Sequence, residues 1–163
     1  MQRHHLACEI NNQSMQSGFT EQFLTASLDC ALFAQNVVIP AESLGLGAVY
    51  IGGLRNNIQD VADCLKLPDL VYPVFGLCLG YPDQNPDVKP RLPLTAVLKQ
   101  DTYNCLDDRQ LIKEYDQEIK EYYASRGANI KQQGWSEQIS NMLSKESRVH
   151  MLSFLQAKGF LKK

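Results

Sequence analysis

The sequence predicts a fold that combines amphipathic helices with short strands, on three observations. An apolar stripe at three- and four-residue spacing runs from Thr20 to Leu44 and stops at a glycine. Two short apolar runs, Ala48–Ile51 and Val74–Leu79, are each bounded by glycine or proline. A third pattern, from Asp108 to about Ser125, is apolar on one side and charged on the other. With 163 residues, 44% of them hydrophobic, the chain has the material for one core of ordinary proportions.

Taken in order, residues 1–19 carry no periodic pattern and are expected as a flexible N-terminal segment, residues 20–125 as the core, and 126–163 as a loop with C-terminal helices. In the first helix Phe23, Leu24, Leu28, Ala31, Leu32, Phe33, Val37 and Val38 form a wide stripe with few charges, which predicts deep burial. Pro40 cannot donate to the carbonyl of Asn36, so a kink or local break is expected there, and Gly45 supplies the left-handed cap. After the strand at 48–51, Asn56 is expected to cap a helix from Asn57 to about Leu65, with Gln59 as reciprocal partner and Ile58, Val61, Ala62 and Leu65 inward. Pro68 stops it. The near-continuous apolar character of 74–79 implies a strand covered on both faces, with Cys78 buried in it as a small hydrophobe.

Residues 82–93 hold too many prolines for helix or central strand and read as an ordered loop. Asp107 is placed to cap the amphipathic helix, whose inner side carries Leu111, Ile112, Tyr115, Ile119 and Tyr122. The helical spacing of Tyr115, Tyr122 and Tyr123 favours packing, and they are assigned no site. Residues 126–134 are polar and glycine-flanked, hence a mobile excursion, followed by helical patterns at 136–143 and 148–155.

A formal net charge of −2 and a pI near 5.9 supply no electrostatic attraction to nucleic acid or an anionic membrane. The longest uninterrupted apolar run, near Leu70–Leu79, is about half a membrane span. Cysteines 8, 30, 64, 78 and 105 include no Cys-x-x-Cys pair and are odd in number, as suits reduced thiols in a cytoplasm. His4, His5 and Cys8 lack a fourth metal ligand nearby, so no metal site is expected.

The most informative stretch is Ala41-Glu42-Ser43-Leu44-Gly45-Leu46-Gly47-Ala48-Val49-Tyr50-Ile51-Gly52-Gly53-Leu54-Arg55-Asn56-Asn57. Paired glycines at a strand end remove two Cβ atoms and let backbone N–H groups approach a flat ligand, although turn chemistry alone favours a plain Gly-Gly turn between strand and helix. Read with Phe75-Gly76-Leu77-Cys78-Leu79-Gly80-Tyr81-Pro82, Asn85-Pro86-Asp87-Val88-Lys89-Pro90-Arg91-Leu92-Pro93, Glu121–Gly127, Trp135-Ser136 and Lys145–Arg148, it resembles the group A oxygen-insensitive NADPH nitroreductases and NADPH–flavin oxidoreductases. The resemblance runs over essentially the whole chain.

That resemblance implies an α+β fold, a mixed central sheet wrapped by helices in an interlocked homodimer, with FMN at the subunit interface. It implies a ping-pong reaction in which NADPH reduces FMN, NADP leaves, and a nitroaromatic, quinone or free flavin accepts two electrons. The chemistry then belongs to FMN, no side chain is catalytic, and the protein positions the reactants. By resemblance Ile51, Gly52 and Gly53 present backbone to the flavin edge, and Lys89 and Arg91 hold the FMN phosphate. Composition alone reads those two cations as solvated. Arg126 and Lys131 match positions that take the 2′-phosphate of NADPH; many relatives carry arginine at the second, so lysine implies weaker or less directional binding. Arg55 and Arg148 match arginines near the acceptor pocket, with helix-terminal ion pairing an equal alternative.

The family's basic N-terminal segment of the His-Arg-Ser-Ile-Arg type, and the serine-rich stretch after it, find no match; Met1–Cys8 resembles an internal part of the family. The implied alternative is a chain lacking the N-terminal third, unable to hold FMN alone, that survives as an inactive remnant or pairs with a full-length subunit.

Overall fold

A computed structural model of the protein describes residues 1–126 and 131–163. Its helices are α1 (Gln2–Ile10), α2 (Thr20–Ser43), α3 (Ile58–Cys64), α4 (Leu94–Val97), α5 (Asp108–Ser125), α6 (Trp135–Leu143) and α7 (Met151–Ala157); its strands are β1 (Gly47–Ile51) and β2 (Gly76–Gly80). A 3₁₀ turn at Gly53–Asn57 joins β1 to α3. The chain divides into two compact units, residues 1–84 with 148–163, and residues 85–147. The segment expected to be flexible is helical over Gln2–Ile10.

In the first unit α2 runs without a break through Pro40, where the sequence predicted a kink or local break. Pro40 removes one donor, and the last turn beyond it stays bonded. Its own carbonyl still accepts from the Leu44 amide at 3.2 Å and the Ser43 hydroxyl at 2.7 Å. Gly45, at φ +79°, makes the expected left-handed exit. β1 and β2 then pair antiparallel with Gly47 opposite Gly80 and Ile51 opposite Gly76.

The core of this unit lies between α3 and α7. Ile58 and Ala62 meet Phe154, Leu155 and Phe160, with Phe23, Leu67 and Tyr72 packed around them. Of the predicted inner face of α3, Ile58 and Ala62 are buried while Leu65 is exposed. The Asn56 cap does not form. The chain first makes the 3₁₀ turn, so Asn57 takes the N-cap position without a side-chain cap bond.

Tyr72 stacks on Phe23 at 5.6 Å between ring centroids and hydrogen-bonds the Ser27 hydroxyl. Burial raises the Tyr72 hydroxyl above its ordinary value of 10.0, against the opposing bond to Ser27. A raised folded-state pKa means that the native state keeps a proton the unfolded chain releases, so stability is full below about pH 10 and falls as pH rises further. Thermal melts from pH 8 to 11 should therefore show an alkaline decline that flattens in Tyr72→Phe.

Two burial expectations are overturned. On α2 only Ala34, Val38 and Ala41 are buried, while Leu28, Leu32 and Phe33 remain 61%, 65% and 72% exposed. Likewise β2 is half-buried over Gly76–Leu77 and exposed from Cys78 to Gly80, so Cys78 is not a core residue. Periodicity records that a face is apolar; it does not record what covers it. By length and composition α2 would also suffice to cross a membrane, a property shared by helices that pack against protein.

In the second unit α5 follows the predicted bounds, and Tyr115, Ile119 and Tyr123 form its buried ridge against Leu92, Tyr122 and Trp135. Asp107 stands at the N-cap but makes no side-chain cap bond. Instead, a tertiary cap secures α6: the Asp116 carboxylate accepts from the Ser136 amide at 2.7 Å and from the Ser136 hydroxyl. A Cβ added at Gly134 would stand 2.7 Å from Asp116 Cγ and 2.8 Å from its Cβ. Gly134→Ala must displace that carboxylate and should cost about 1–3 kcal/mol. The same substitution in an Asp116→Ala background should cost far less, which a double-mutant cycle by denaturant unfolding checks.

Candidate functional site

The residues singled out from sequence fall into two groups, one in each unit. In the first, Ile51 ends the sheet ladder opposite Gly76, and Gly52, at φ −80° and ψ −16°, turns the chain into the 3₁₀ segment. The Arg55 amide closes that turn on the Gly52 carbonyl at 3.2 Å. The two glycines have different surroundings. A Cβ at Gly53 would meet nothing within 4 Å, whereas one at Gly52 would come within 3.1 Å of Arg55 Nη2. Gly53 therefore has open space where a side chain would stand, and Gly52 makes room for the Arg55 guanidinium.

Arg55 donates through Nη1 to the Val74 carbonyl, and Arg148 donates through Nε to Asn56 Oδ1 at 3.0 Å. The two arginines are thus brought to one short turn. Among the described residues the ion pairs are His5–Glu9 and Lys99–Asp108, so neither arginine is held by the helix-terminal ion pair that the sequence left open. Beside the turn, Asn56, Asn57, His150 and Ser153 line an open pocket of about 390 Å³ floored by Ile58 and Phe154.

In the second unit the proline-rich loop is tied to α5. The Tyr115 hydroxyl donates to the Pro90 carbonyl at 3.0 Å, and the Tyr122 hydroxyl to the Asp87 carbonyl at 3.3 Å. Lys89 lies between these anchors with Nζ 5.5 Å from the centre of the Tyr123 ring, and Arg91 is exposed. Lys131 reaches the same ring at 5.3 Å, while Arg126 lies over Tyr122 at 5.6 Å. Three of the four predicted cations therefore gather on a tyrosine pair whose rings are 5.4 Å apart. Residues 127–130, in the excursion expected to be mobile, lie outside the described residues.

Sequence reasoning treated the tyrosines as packing alone. They do pack, but Tyr115 and Tyr122 also fasten the loop, and Tyr122 and Tyr123 collect the cations. Helical spacing carries no sign of a hydroxyl's partner or of a cation 30 residues away in sequence. Among the described residues no cluster of three or more His, Cys, Asp or Glu side chains is arranged to hold a metal.

Comparison with known proteins bears directly on this arrangement. The model of the nitroreductase family matches residues 18–81, and that of the family's C-terminal domain matches residues 89–163. The chain belongs to the nitroreductase family. The oxygen-insensitive NADPH nitroreductase of Salmonella typhimurium is 48% identical over 145 residues, covering 89% of this chain and 60% of that protein. The solved structure of NfrA1 from B. megaterium superposes with a TM-score of 0.93 at 41% identity, over 99% of this chain and 67% of that one. The NADPH:FMN oxidoreductase from Vibrio harveyi, solved with NAD+, gives 0.85 at 42% identity, over 99% and 64%. This nitroreductase-family chain thus has the nitroreductase fold and spans about two thirds of its solved relatives. In that α+β fold the described residues supply a two-stranded antiparallel sheet and seven helices.

Proposed function

We propose that this chain belongs to an FMN-dependent oxidoreductase that uses NADPH to reduce nitroaromatics, quinones or free flavin in a ping-pong cycle. The observation that carries the reading is the gathered set of cations in the second unit, with the open glycine backbone of the first unit as separate support. Gly53 presents an unobstructed backbone surface at a strand end, and Lys89, Arg126 and Lys131 collect on the Tyr122–Tyr123 pair. FMN and NADPH each join a flat ring to a phosphate, and these are the two chemistries such residues suit. The names of the relatives, an NADPH nitroreductase and an NADPH:FMN oxidoreductase, support the same reading.

FMN supplies the hydride and electron chemistry when bound. The chain's own work is positional. Ile51, Gly52 and Gly53 bring backbone to the ring edge, and Lys89 and Arg91 take the FMN phosphate. Arg126 and Lys131 take the nucleotide phosphate, and Arg55 and Arg148 line the acceptor side. The exposed Leu28, Leu32 and Phe33 of α2 are the surface that a second subunit covers, either another copy or a full-length relative. The five cysteines are free thiols, as a cytoplasmic protein would keep them.

The test is the visible spectrum of the purified chain after incubation with FMN and desalting. A retained flavin spectrum that bleaches on adding NADPH is the expected result. A colourless protein supports the second reading, a chain that holds FMN only alongside a full-length partner, which the exposed α2 stripe favours. Repeating the measurement with such a subunit present separates the two.

A further inference from the structure

His150 stands at the N-cap of α7, outside every motif that pointed to cofactor or substrate. Its backbone is fixed from the helix side, since its carbonyl accepts from the Phe154 amide at 3.1 Å and from the Ser153 hydroxyl at 2.9 Å. Its ring reaches 95 residues back along the chain, with Nε2 lying 2.9 Å from the Arg55 carbonyl. A carbonyl oxygen only accepts, so Nε2 must carry the proton in this contact. Two residues earlier, Arg148 adopts φ +52°, a left-handed backbone that an L-residue takes only at a cost, and its Nε bonds the neighbouring Asn56 side chain at 3.0 Å. The α7 backbone is itself bolted to α3 through Phe154, Leu155, Ile58 and Ala62.

We propose that His150 is a positioning residue for the Gly52–Gly53 turn: its Nε2–H holds the Arg55 carbonyl and thereby sets the orientation of the 3₁₀ turn that presents the glycine backbone. Three long-range attachments meet within two residues of that turn: His150 on the Arg55 carbonyl, Arg148 on Asn56, and the Arg55 guanidinium on Val74. The first two come from one segment, so the α3–α7 core extends its rigidity to a turn that contributes no buried side chain of its own. This inference rests on the proposed function only for its consequence in ligand binding. The positioning itself is a property of the chain without ligand.

The deciding experiment uses the full 163-residue chain without added flavin. Long-range ¹H–¹⁵N correlation of the His150 ring should show the Nε2–H tautomer. In His150→Phe the amides of Arg55, Asn56 and Asn57 should exchange roughly five times faster, the loss of one hydrogen bond, while those of Phe154 and Leu155 keep their rates. His150→Gln, whose side-chain amide can also donate, should recover part of the protection. An Nδ1–H tautomer, or unchanged turn exchange in both variants, overturns the proposal. If His150→Phe fails to fold, the wild-type tautomer and the glutamine variant still decide. An FMN titration then separates the two claims. A wild-type chain that binds no flavin, even alongside a full-length subunit, removes the proposed function and leaves the positioning result standing. Flavin bound equally by wild type and His150→Phe, with unchanged exchange, removes the positioning role alone.

Discussion

Phe160→Ala should lower the unfolding free energy of the chain by about 3–5 kcal/mol, the range for emptying a buried aromatic site. Phe160 is 2% exposed and among the largest fully buried side chains. It meets Tyr72 edge-on at 5.2 Å and Phe23 at 6.2 Å. It also packs with Ile58, Ala62, Phe154 and Leu155, so one ring joins α2, α3, α7 and the segment before β2. The surroundings cannot close the gap by shifting the chain end. The preceding Gly159 sits at φ +91°, and a Cβ there would stand 2.9 Å from Leu70 Cδ2; the Leu70 amide is bonded to the Lys158 carbonyl at 2.8 Å. Urea unfolding followed by far-ultraviolet circular dichroism measures the loss. A cost below about 1 kcal/mol would mean that this cluster is not the core of its unit.

Removing both Lys89 and Arg91 as alanines should weaken FMN binding by about 10²–10⁴-fold, since each charge-assisted phosphate bond is worth about 1.5–3 kcal/mol. Stability should hardly change. Arg91 is exposed, and the recorded contact of Lys89 is its approach to the Tyr123 ring, which at a partly exposed site is worth about 0.5–1 kcal/mol. Quenching of FMN fluorescence during titration, with the chain alone or together with a full-length subunit, gives the dissociation constants. An unchanged constant would mean that the phosphate is held elsewhere and would detach these two cations from the site. Tyr122→Phe should have a smaller effect in the same direction, because it frees the loop at Asp87 without removing a charge.

Much of the local structure was legible in the sequence because it depends on short-range rules. Gly45 ends α2 through a positive φ that glycine adopts at no steric cost. α5 begins and ends where its amphipathic pattern does, and Tyr115 and Ile119 of its predicted inner face are buried, although Tyr123 takes the buried place read for Tyr122. The family itself was legible, since long motifs such as that from Ala41 to Asn57 hold both the turn chemistry and the glycines in one run of residues.

Other features were decided by contacts between residues far apart in the chain. The helix continues past Pro40 without a break because the bonds of its last turn survive the one missing donor, and Asn56 is turned from a helix cap to a partner of Arg148. The depth of α2 was misjudged because an apolar stripe has the same periodicity whether its cover is the same unit or another molecule. Gathering Lys89 and Lys131 on one tyrosine ring, and bringing His150 to Arg55, required the tertiary structure. Sequence by itself determined where the long amphipathic helices and the two strands fall, and which family they compose, because backbone sterics and side-chain periodicity act within a few residues, whereas the helix over Gln2–Ile10 had no periodic signal. Tertiary structure decided which apolar faces are covered and which polar groups meet, because burial and hydrogen bonding depend on distances in space that residue spacing along the chain does not contain.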